Sequence, residues 1–307
     1  MHTERANAKI NLCLDVTSRR ENGYHELYSI MQTVTLSDRI TVEITPSEQT
    51  EIRLSATGND QMPLDRRNLA WRAAELFLER ISRTARVEIE IEKHIPMAAG
   101  LAGGSADAAA VLRALNHLLA TPLTTEELCA LGARLGADVP FCIVGGCAIA
   151  EGIGEILTPH KGLSDQPLVV ACMGEGVSTP WAYGELDRKY GNFVEARNAE
   201  DGKMLASLLE SGADTDALCA AFYNLFEFVV PAVQPCVEPL KAIMRALGAR
   251  GAMMSGSGPS VFGVFETSEA AEAACAELQK MGAAAFVCTA CGAYPTVESQ
   301  SERKQGL

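Results

Sequence analysis

Residues 96–110 read Pro-Met-Ala-Ala-Gly-Leu-Ala-Gly-Gly-Ser-Ala-Asp-Ala-Ala-Ala, a run of small residues between two segments of different periodicity. Before it, residues 86–92 alternate apolar and charged side chains, which predicts a β-strand. After it, residues 105–119 are rich in alanine and carry leucine at helical spacing, which predicts a long helix. The stretch therefore predicts a strand, a tight turn and a helix in direct succession.

The composition of this turn is typical of a phosphate-binding loop. Gly100, Gly103 and Gly104 allow a positive φ and leave no Cβ in the way of a ligand. The N–H groups at the start of the following helix carry partial positive charge, which suits a phosphate. Ser105 could add its hydroxyl to a phosphate or to a bound Mg²⁺. The alternative is a simple strand–helix turn with a serine cap, and the loop by itself does not decide between the two.

Two common nucleotide-binding motifs are excluded at this turn. Residues 95–112 contain no lysine or arginine, so the P-loop pattern G-x-x-x-x-G-K-[ST] is absent. Ala102 occupies the place of the second glycine in the dinucleotide-binding pattern G-x-G-x-x-G. A phosphate bound here would therefore depend on backbone donors.

The composition of the chain limits which kind of protein it can be. Its 307 residues correspond to about two domains, and its net charge of −13 argues against a nucleic-acid or membrane-surface partner. No apolar run has the length of a signal peptide or a membrane span, and the ten cysteines follow no disulfide-like spacing. A cytoplasmic enzyme with reduced cysteines is therefore expected. The Cys288-x-x-Cys291 pair has no second ligand pair near it in sequence, so no metal site is predicted.

Strand and helix patterns are mixed along the chain without regular alternation, which favours an α+β fold over a doubly wound sheet. The other predicted strands are at 8–16, 40–44, 260–265 and 284–288. The other predicted helices are at 68–81, 124–135, 203–211, 214–222, 237–247 and 269–281. Because the pattern changes near residue 155, we predict an N-terminal domain at 1–154, a C-terminal domain at 155–298 and a polar tail at 299–307.

Three polar side chains lie where they could form a reactive group. On the strand predicted at 8–16, Lys9 and Asn11 project to one face, opposite their apolar neighbours. Asp138 lies in an otherwise apolar stretch, where an unpaired carboxylate would be costly, and Lys9 is the obvious cationic partner. The pair could take part in chemistry, or it could be a buried ion pair that only joins two segments. The residues alone leave both interpretations open.

Three motifs in order along the chain resemble those of the GHMP kinases, a family of galactose, homoserine, mevalonate and related kinases. Residues 6–12 read Ala-Asn-Ala-Lys-Ile-Asn-Leu, residues 96–105 form the turn above, and residues 254–262 read Met-Ser-Gly-Ser-Gly-Pro-Ser-Val-Phe. The resemblance implies an N-terminal domain like domain 2 of ribosomal protein S5 and a ferredoxin-like C-terminal domain. It also implies that a monomer or homodimer transfers the γ-phosphate of ATP, bound with Mg²⁺, to a small-molecule alcohol.

The resemblance implies a role for each matching residue. Asp138 would accept or orient the proton of the substrate hydroxyl, and Lys9 would keep Asp138 ionised and help to neutralise the transferring phosphoryl group. Residues 255–259 would approach the phosphate loop and close the site between the domains, unless they are only a helix-to-strand turn. The implied ATP-binding residues are Pro96, Met97, Ala98, Ala99, Gly100, Leu101, Ala102, Gly103, Gly104, Ser105 and Ala106, with Asn68 and Leu69 beside the adenine.

Residues 8–12, 19–25 and 135–141 narrow the resemblance within the family. They are similar to the subgroup that phosphorylates the 2-hydroxyl of a cytidine-diphosphate-linked methylerythritol in the non-mevalonate isoprenoid route. The resemblance implies that Tyr24 and Tyr183 sandwich the cytosine ring and that His25 bonds to its edge. The implied substrate-binding residues are Asn11, Tyr24, His25, Asp138, Thr179 and Tyr183.

Three alternatives remain from the sequence. A GHMP kinase of the homoserine or mevalonate type is disfavoured by residues 23–25 and 136–140. A catalytically silent relative that only binds a nucleotide or sugar phosphate is disfavoured by the presence of both Lys9 and Asp138. A nucleic-acid-binding module, related through the ribosomal-protein-like part of the fold, is disfavoured by the acidic net charge.

Overall fold

The described part of the chain forms two β-sheets, each with helices packed against it. The structure is a computed structural model, and it describes residues 1–119, 123–164, 166–191 and 201–295. Antiparallel pairing dominates both sheets and the helices follow no regular strand–helix alternation, which confirms the predicted α+β class.

The first sheet has seven strands. They are β1 (His2–Arg19), β2 (His25–Pro46), β3 (Glu51–Thr57), β4 (Ala85–Glu92), β5 (Cys147–Gly152), β6 (Ile156–Pro159) and β8 (Tyr223–Asn224). The strand order is β3-β4-β2-β1-β8, with β5 paired to β2 and β6 paired to β5. The β3–β4 and β1–β8 pairs are parallel, and the remaining pairs are antiparallel.

Four helices accompany this sheet, and the strand pattern explains how its core forms. They are α1 (Leu69–Arg80), α2 (Gly103–Leu118), α3 (Thr125–Ala133) and α4 (Val139–Val144). On β4, the alternating side chains of Val87, Ile89 and Ile91 are buried against α1 and α2 in one core. The alanine-rich start of α2 is buried as well, because small side chains allow a helix to pack closely against its neighbours.

The second sheet has four antiparallel strands, β7 (Pro167–Cys172), β9 (Gly251–Met254), β10 (Val261–Val264) and β11 (Ala284–Thr289), in the order β11-β7-β10-β9. The helices of this half are α5 (Thr179–Tyr190), α6 (Asp201–Ser211), α7 (Thr215–Ala220), α8 (Val237–Ala246) and α9 (Ser268–Lys280). No helix within the described ranges combines the length and the apolarity needed to cross a membrane.

A shared hydrophobic core joins the two sheets. Ile10 and Leu12 of β1 belong to the same buried cluster as Val170 of β7 and Phe262 of β10. The two polar residues predicted on the opposite face of this strand, Lys9 and Asn11, are consequently held at the junction between the halves.

Most of the predicted elements are confirmed, with differences mainly at their ends. The strands at 8–16 and 40–44 extend to His2–Arg19 and His25–Pro46, since much of their length is buried on both faces and shows no clean alternation. Strands β3, β5, β6, β7, β8 and β9 and helices α4 and α5 were not predicted. The domain boundary at residue 154 stays a prediction, and the β5–β6 hairpin crosses it within one sheet. The tail at 299–307 lies outside the described residues.

Candidate active site

A cavity of about 940 Å³ opens at the junction of the two halves. Its walls contain most of the predicted site residues: Lys9, Asn11, Tyr24, His25, Asn68, Leu69, Pro96, Met97, Ala98, Ala99, Gly100, Ala102, Gly103, Gly104, Ser105, Asp138, Thr179 and Tyr183. Leu101 and Ala106 are exceptions, because each is 1% exposed and its side chain packs into a hydrophobic core. The structure thus brings together residues that lie far apart in the sequence.

Every second residue of the phosphate loop from residue 98 to residue 102 has a positive φ. Ala98, Gly100 and Ala102 have φ values of 51°, 80° and 56°, in the left-handed region. Of the three glycines that allow a positive φ, only Gly100 adopts one, and Gly103 and Gly104 form the first turn of α2. Left-handed residues within a turn allow successive N–H groups to point into one concavity, which favours an anion. Two alanines carry this strain, which costs more for alanine than for glycine.

The two glycines at the start of α2 differ in the space around them. A Cβ built on Gly103 would lie 3.1 Å from the Nζ of Lys93, whereas one on Gly104 would meet only Leu69 at 3.9 Å. Gly104 therefore keeps the helix N-terminus open toward the cavity. Helix α2 begins after Ala102 with no side-chain cap, so a serine cap is not what shapes this turn. The first N–H groups of the helix have no intrahelical partners and can bond to a ligand.

The third motif contacts the phosphate loop directly, as predicted. Ser255 Oγ donates to the carbonyl oxygen of Gly100 over 3.0 Å, and the N–H of Ser260 donates to the carbonyl of Ala99 over 3.2 Å. The motif joins β9 to β10, so it is a turn between strands and not between a helix and a strand. Asn224 holds this turn by donating to the carbonyls of Met254 and Gly256 over 2.8 and 2.9 Å.

Lys9 and Asn11 form a buried polar pair on β1. They are 4% and 0% exposed, and Lys9 Nζ donates to Asn11 Oδ1 over 2.7 Å. Lys9 Nζ also donates to the carbonyl oxygen of Gly100 over 3.3 Å, so the ammonium group lies beside the phosphate loop. The register of β1 on β2 shifts on both sides of this pair, a feature that re-aims side chains from a strand.

Asp138 is the residue immediately before α4, and its half-buried side chain lines the same cavity. The expected ion pair with Lys9 is absent: among the described residues, no bridge within 4.0 Å joins the two. Lys9 instead satisfies its donors on Asn11 and Gly100, while Asp138 stays open to the cavity. Burial raises the pKa of Tyr183, and the negative charge of Asp138 raises it further.

A buried charge network beneath the phosphate loop was not predicted. Lys93 Nζ donates to Asp38 and, over 2.7 Å, to Asp107 on α2. Asp38 also accepts from the N–H groups of His94 and Ile95 over 2.6 and 2.8 Å. Burial, and less strongly the charge of Asp38, raise the pKa of Asp107 to about 7, although Lys93 opposes the shift. Lys93 precedes the cation-free segment, so a search of that segment alone could not find it.

The opposite end of the cavity is aromatic. His25 and Tyr183 stack with ring centroids 4.5 Å apart and an angle of 13° between their planes. Asp187 lies one turn of α5 beyond Tyr183, and its Oδ1 is 2.9 Å from His25 Nε2, within hydrogen-bonding distance. One face of Tyr183 lies against His25, and the sandwich of the cytosine ring between Tyr24 and Tyr183 stays a prediction. Tyr24 is 59% exposed and offers a free ring surface at the cavity mouth.

Two further predicted residues serve partly structural roles. Asn68 caps α1, accepting from the N–H of Ala70 over 2.9 Å and donating to the carbonyl of Pro63 over the same distance. Thr179 Oγ1 lies 2.9 Å from Ser257 Oγ, which links the start of α5 to the third motif. Both side chains reach the cavity wall while fixing the backbone around it.

The described residues contain no group of three or more histidine, cysteine, aspartate or glutamate side chains arranged to hold a metal ion. Cys288 and Cys291 are free thiols, and burial raises the pKa of both. Raised pKa values disfavour the thiolate form that binds metals and exchanges disulfides.

Sequence comparison agrees with this arrangement. The family model described as "GHMP kinases N terminal domain" matches residues 68–146, and the one described as "GHMP kinases C terminal" matches residues 193–284. A relative from Alkaliphilus metalliredigens, named 4-diphosphocytidyl-2-C-methyl-D-erythritol kinase, is 44% identical over 88% of this chain and 90% of its own length. A relative of the same name from Exiguobacterium sibiricum is also 44% identical, over 87% of this chain and 90% of its own.

Structural comparison gives the same result. A crystal structure of 4-(cytidine 5'-diphospho)-2C-methyl-D-erythritol kinase matches with a TM-score of 0.77 and 36% identity, covering 95% of this chain and all of the other. Homoserine kinase from Cytophaga hutchinsonii matches with a TM-score of 0.72 but only 19% identity, covering 95% and 97% of the two chains. The second match shows a common fold and nothing about the substrate.

Proposed function

The chain belongs to the GHMP kinase family, and we propose that it transfers the γ-phosphoryl group of ATP to the 2-hydroxyl of 4-diphosphocytidyl-2-C-methyl-D-erythritol. The observation that carries the proposal is the meeting of the phosphate loop, Lys9 and Asp138 in one cavity. The names of the relatives at 44% identity support this choice of alcohol.

The phosphate loop would bind the ATP phosphates through its backbone. The alternating conformation of residues 98–102 and the open first turn of α2 supply N–H donors without a side-chain cation. Lys9 lies within hydrogen-bonding reach of this loop and adds positive charge where the phosphoryl group would be transferred. Phosphoryl transfer depends mainly on positioning and charge stabilisation, so this small set of groups is sufficient.

Asp138 would accept the proton of the attacking hydroxyl. The substrate oxygen forms a bond to the γ-phosphorus, the bond from that phosphorus to the bridging oxygen breaks, and ADP leaves with the electron pair. Asp138 lines the cavity with no ion-pair partner among the described residues, so its oxygens are available to the substrate. A bound Mg²⁺ supplies charge neutralisation between the phosphates, and Ser105 is the hydroxyl on the loop that could contribute to its coordination.

The aromatic end of the cavity would recognise the cytosine. The exposed ring of Tyr24 can stack on the flat face of the cytosine, as aromatic side chains do on any base. His25 would bond to the edge of the cytosine, and its orientation is set by Asp187 and by stacking on Tyr183. Asn11 and Thr179 complete the proposed substrate contacts, near the transfer site and near the third motif respectively.

A comparison of three alcohols tests this proposal. The purified protein would be given Mg-ATP with the cytidyl substrate, homoserine or mevalonate, and ADP release would be followed by a coupled assay. We expect turnover with the cytidyl substrate alone. Turnover with another alcohol would keep the kinase and reject the cytosine site. No turnover in protein that binds ATP, measured by calorimetry, would favour a silent nucleotide-binding relative.

A further inference from the structure

Arg113 connects three elements that carry active-site groups. It lies on α2, its side chain is 12% exposed, and its guanidinium group donates in three directions. Nη1 donates to the carbonyl of Cys142 over 2.7 Å, Nη2 to the carbonyl of Arg5 over 2.9 Å, and Nε to the carboxylate of Glu4 over 3.3 Å. None of these contacts lies in the cavity wall.

Each partner of Arg113 leads to a different part of the active site. Helix α2 begins at the phosphate loop, and Arg5 lies on β1 four residues before Lys9. Cys142 lies on α4, where its N–H donates to the carbonyl of Asp138 over 3.0 Å. A single side chain therefore holds the backbone of the elements that carry the phosphate loop, the ammonium group and the carboxylate.

Tyr294, near the end of the described chain, covers this junction. Its ring centroid lies 3.8 Å from the guanidinium carbon of Arg113, and its N–H donates to the carbonyl of Val144 at the end of α4 over 2.9 Å. Its hydroxyl lies 3.0 Å from Asn7 Oδ1 on β1. A Cβ on Gly145 would approach this ring to 2.8 Å, so the packing at the end of α4 is close.

The chemistry of arginine is suited to this position. Guanidinium is planar and offers donors in several fixed directions, so one group can bond to acceptors on separate segments and stack on an aromatic ring. Lysine has a single nitrogen at the end of a flexible stem and cannot reproduce this arrangement. A largely buried cation with three fixed acceptors also resists small displacements of the helices, because any shift leaves a buried donor unpaired.

We propose that Arg113 is a positioning residue for phosphoryl transfer, and that it fixes the spacing of Asp138 from Lys9 and the phosphate loop. The inference rests on the proposed function. The phosphate loop has its own bonds to Ser255, Ser260 and Lys9, so it keeps its shape when Arg113 is changed. Besides the bond from Arg113, helix α4 accepts a hydrogen bond from the N–H of Tyr294 at Val144 and a long one from Cys129 Sγ at Pro140. These two bonds hold only the middle and the end of the helix, so Asp138 at its start is the group that we expect to move.

The test is the Arg113→Lys variant, assayed with saturating Mg-ATP and cytidyl substrate at a temperature where circular dichroism shows it to be folded. A displacement of about 1 Å can reduce the rate about 100-fold, so we expect kcat to fall 10- to 100-fold. The dissociation constant for ATP, measured by calorimetry, should stay within about twofold of wild type, since backbone donors set it. A purely structural role would lower the melting temperature but leave the kcat of the folded enzyme unchanged.

Arg39→Lys is the matched control, because Arg39 is 58% exposed, pairs only with Glu92 among the described residues and lies outside the cavity wall. We expect its kcat and its ATP affinity to equal those of wild type. If Arg113→Lys does not fold, Tyr294→Leu removes the stacked ring and should lower kcat at least threefold with unchanged ATP affinity.

A folded Arg113→Lys, or failing that a folded Tyr294→Leu, with wild-type kcat would overturn the inference, as would a loss of ATP affinity as large as the loss of kcat. The wild-type rate tests the proposed function, and the ratio of variant to wild-type rates tests the role of Arg113. The two can therefore fail separately. If the wild type acts on another alcohol, the same ratio is measured with that alcohol.

Discussion

Gly100 and Ser255 meet where the phosphate loop contacts the third motif. Ser255 Oγ donates to the carbonyl oxygen of Gly100 over 3.0 Å, and a Cβ on Gly100 would lie 2.1 Å from the carbonyl oxygen of Ser255. The two loops come from different halves of the chain, yet they pack so closely that only glycine fits. The shape of the phosphate loop therefore depends on the second half of the protein.

We expect Gly100→Ala to weaken ATP binding at least tenfold and to lower the melting temperature, because it adds a backbone clash to the strain of φ +80°. Gly212→Ala is the control, since Gly212 has φ +71° with nothing within 4 Å of a built Cβ. It should cost about 1 kcal/mol of stability and leave ATP affinity intact. Equal effects of the two substitutions on ATP affinity, measured by calorimetry, would reject the close packing as the cause.

Asp138→Asn should lower kcat by about 10²- to 10⁴-fold, because the amide cannot accept the proton of the substrate hydroxyl. ATP affinity should stay within about twofold of wild type, since the phosphate loop is unchanged. Single-turnover kinetics and ATP titration of the same preparation measure the two effects. A rate near that of the wild type would remove Asp138 from the chemistry.

Tyr24→Ala should raise the KM for the cytidyl substrate about 5- to 150-fold, which corresponds to the 1–3 kcal/mol of a base–aromatic stack. Tyr24→Phe keeps the ring and should stay within about threefold of wild type. The KM for ATP should not change in either variant. Steady-state assays with each substrate varied in turn give these values, and a loss of the same size in both variants would point away from stacking.

Asp107→Asn should change how stability depends on pH. The pKa of Asp107 in the folded state is about 7, above the value of about 4 for an unfolded chain, because burial disfavours its charge beside Asp38 despite Lys93. The folded state therefore binds the proton more tightly, and wild-type stability should fall as the pH rises from about 4 to 7. The linked free energy is at most about 4 kcal/mol.

Melting temperatures of wild type and Asp107→Asn across pH 4.5 to 8 measure this effect. The variant carries no titrating group at this position, so wild type should lose stability relative to it with rising pH. A difference between the two proteins that stays constant with pH would show that Asp107 does not titrate in this range. Titrations of groups outside this network cancel in the difference, whereas those of Asp38 and Lys93 also change because Lys93 bonds to both carboxylates.

The phosphate loop and its helix could be predicted from sequence because their signals are local. Periodicity identifies the strand at 86–92 and the helix from residue 105, and the glycines identify the turn between them. The conformations of Ala98 and Ala102 could not be predicted, because alanine rarely adopts a positive φ and the loop around them is held by contacts far along the chain, such as the bonds of Ser255 and Ser260 to Gly100 and Ala99.

Networks of residues distant in sequence escaped prediction. The charged network forms only after β2, β4 and α2 pack together and bring Lys93 to Asp38 and Asp107. In the sequence, each of the three residues resembles an ordinary surface charge. Asp187 was missed because α5 was not predicted, so its position one turn after Tyr183 was not recognised. Lys9 and Asp138 line one cavity, but the ion pair expected between them is not formed, because the ammonium group of Lys9 donates to Asn11 and Gly100 instead.

The most direct test of the central claim is a ³¹P NMR experiment on the wild-type protein with Mg-ATP and 4-diphosphocytidyl-2-C-methyl-D-erythritol. We predict a new phosphomonoester resonance that grows in step with the conversion of ATP to ADP, while the diphosphate signals of the cytidyl substrate stay intact. ADP that accumulates with inorganic phosphate and no phosphomonoester, or no reaction in protein that binds ATP, would contradict the claim.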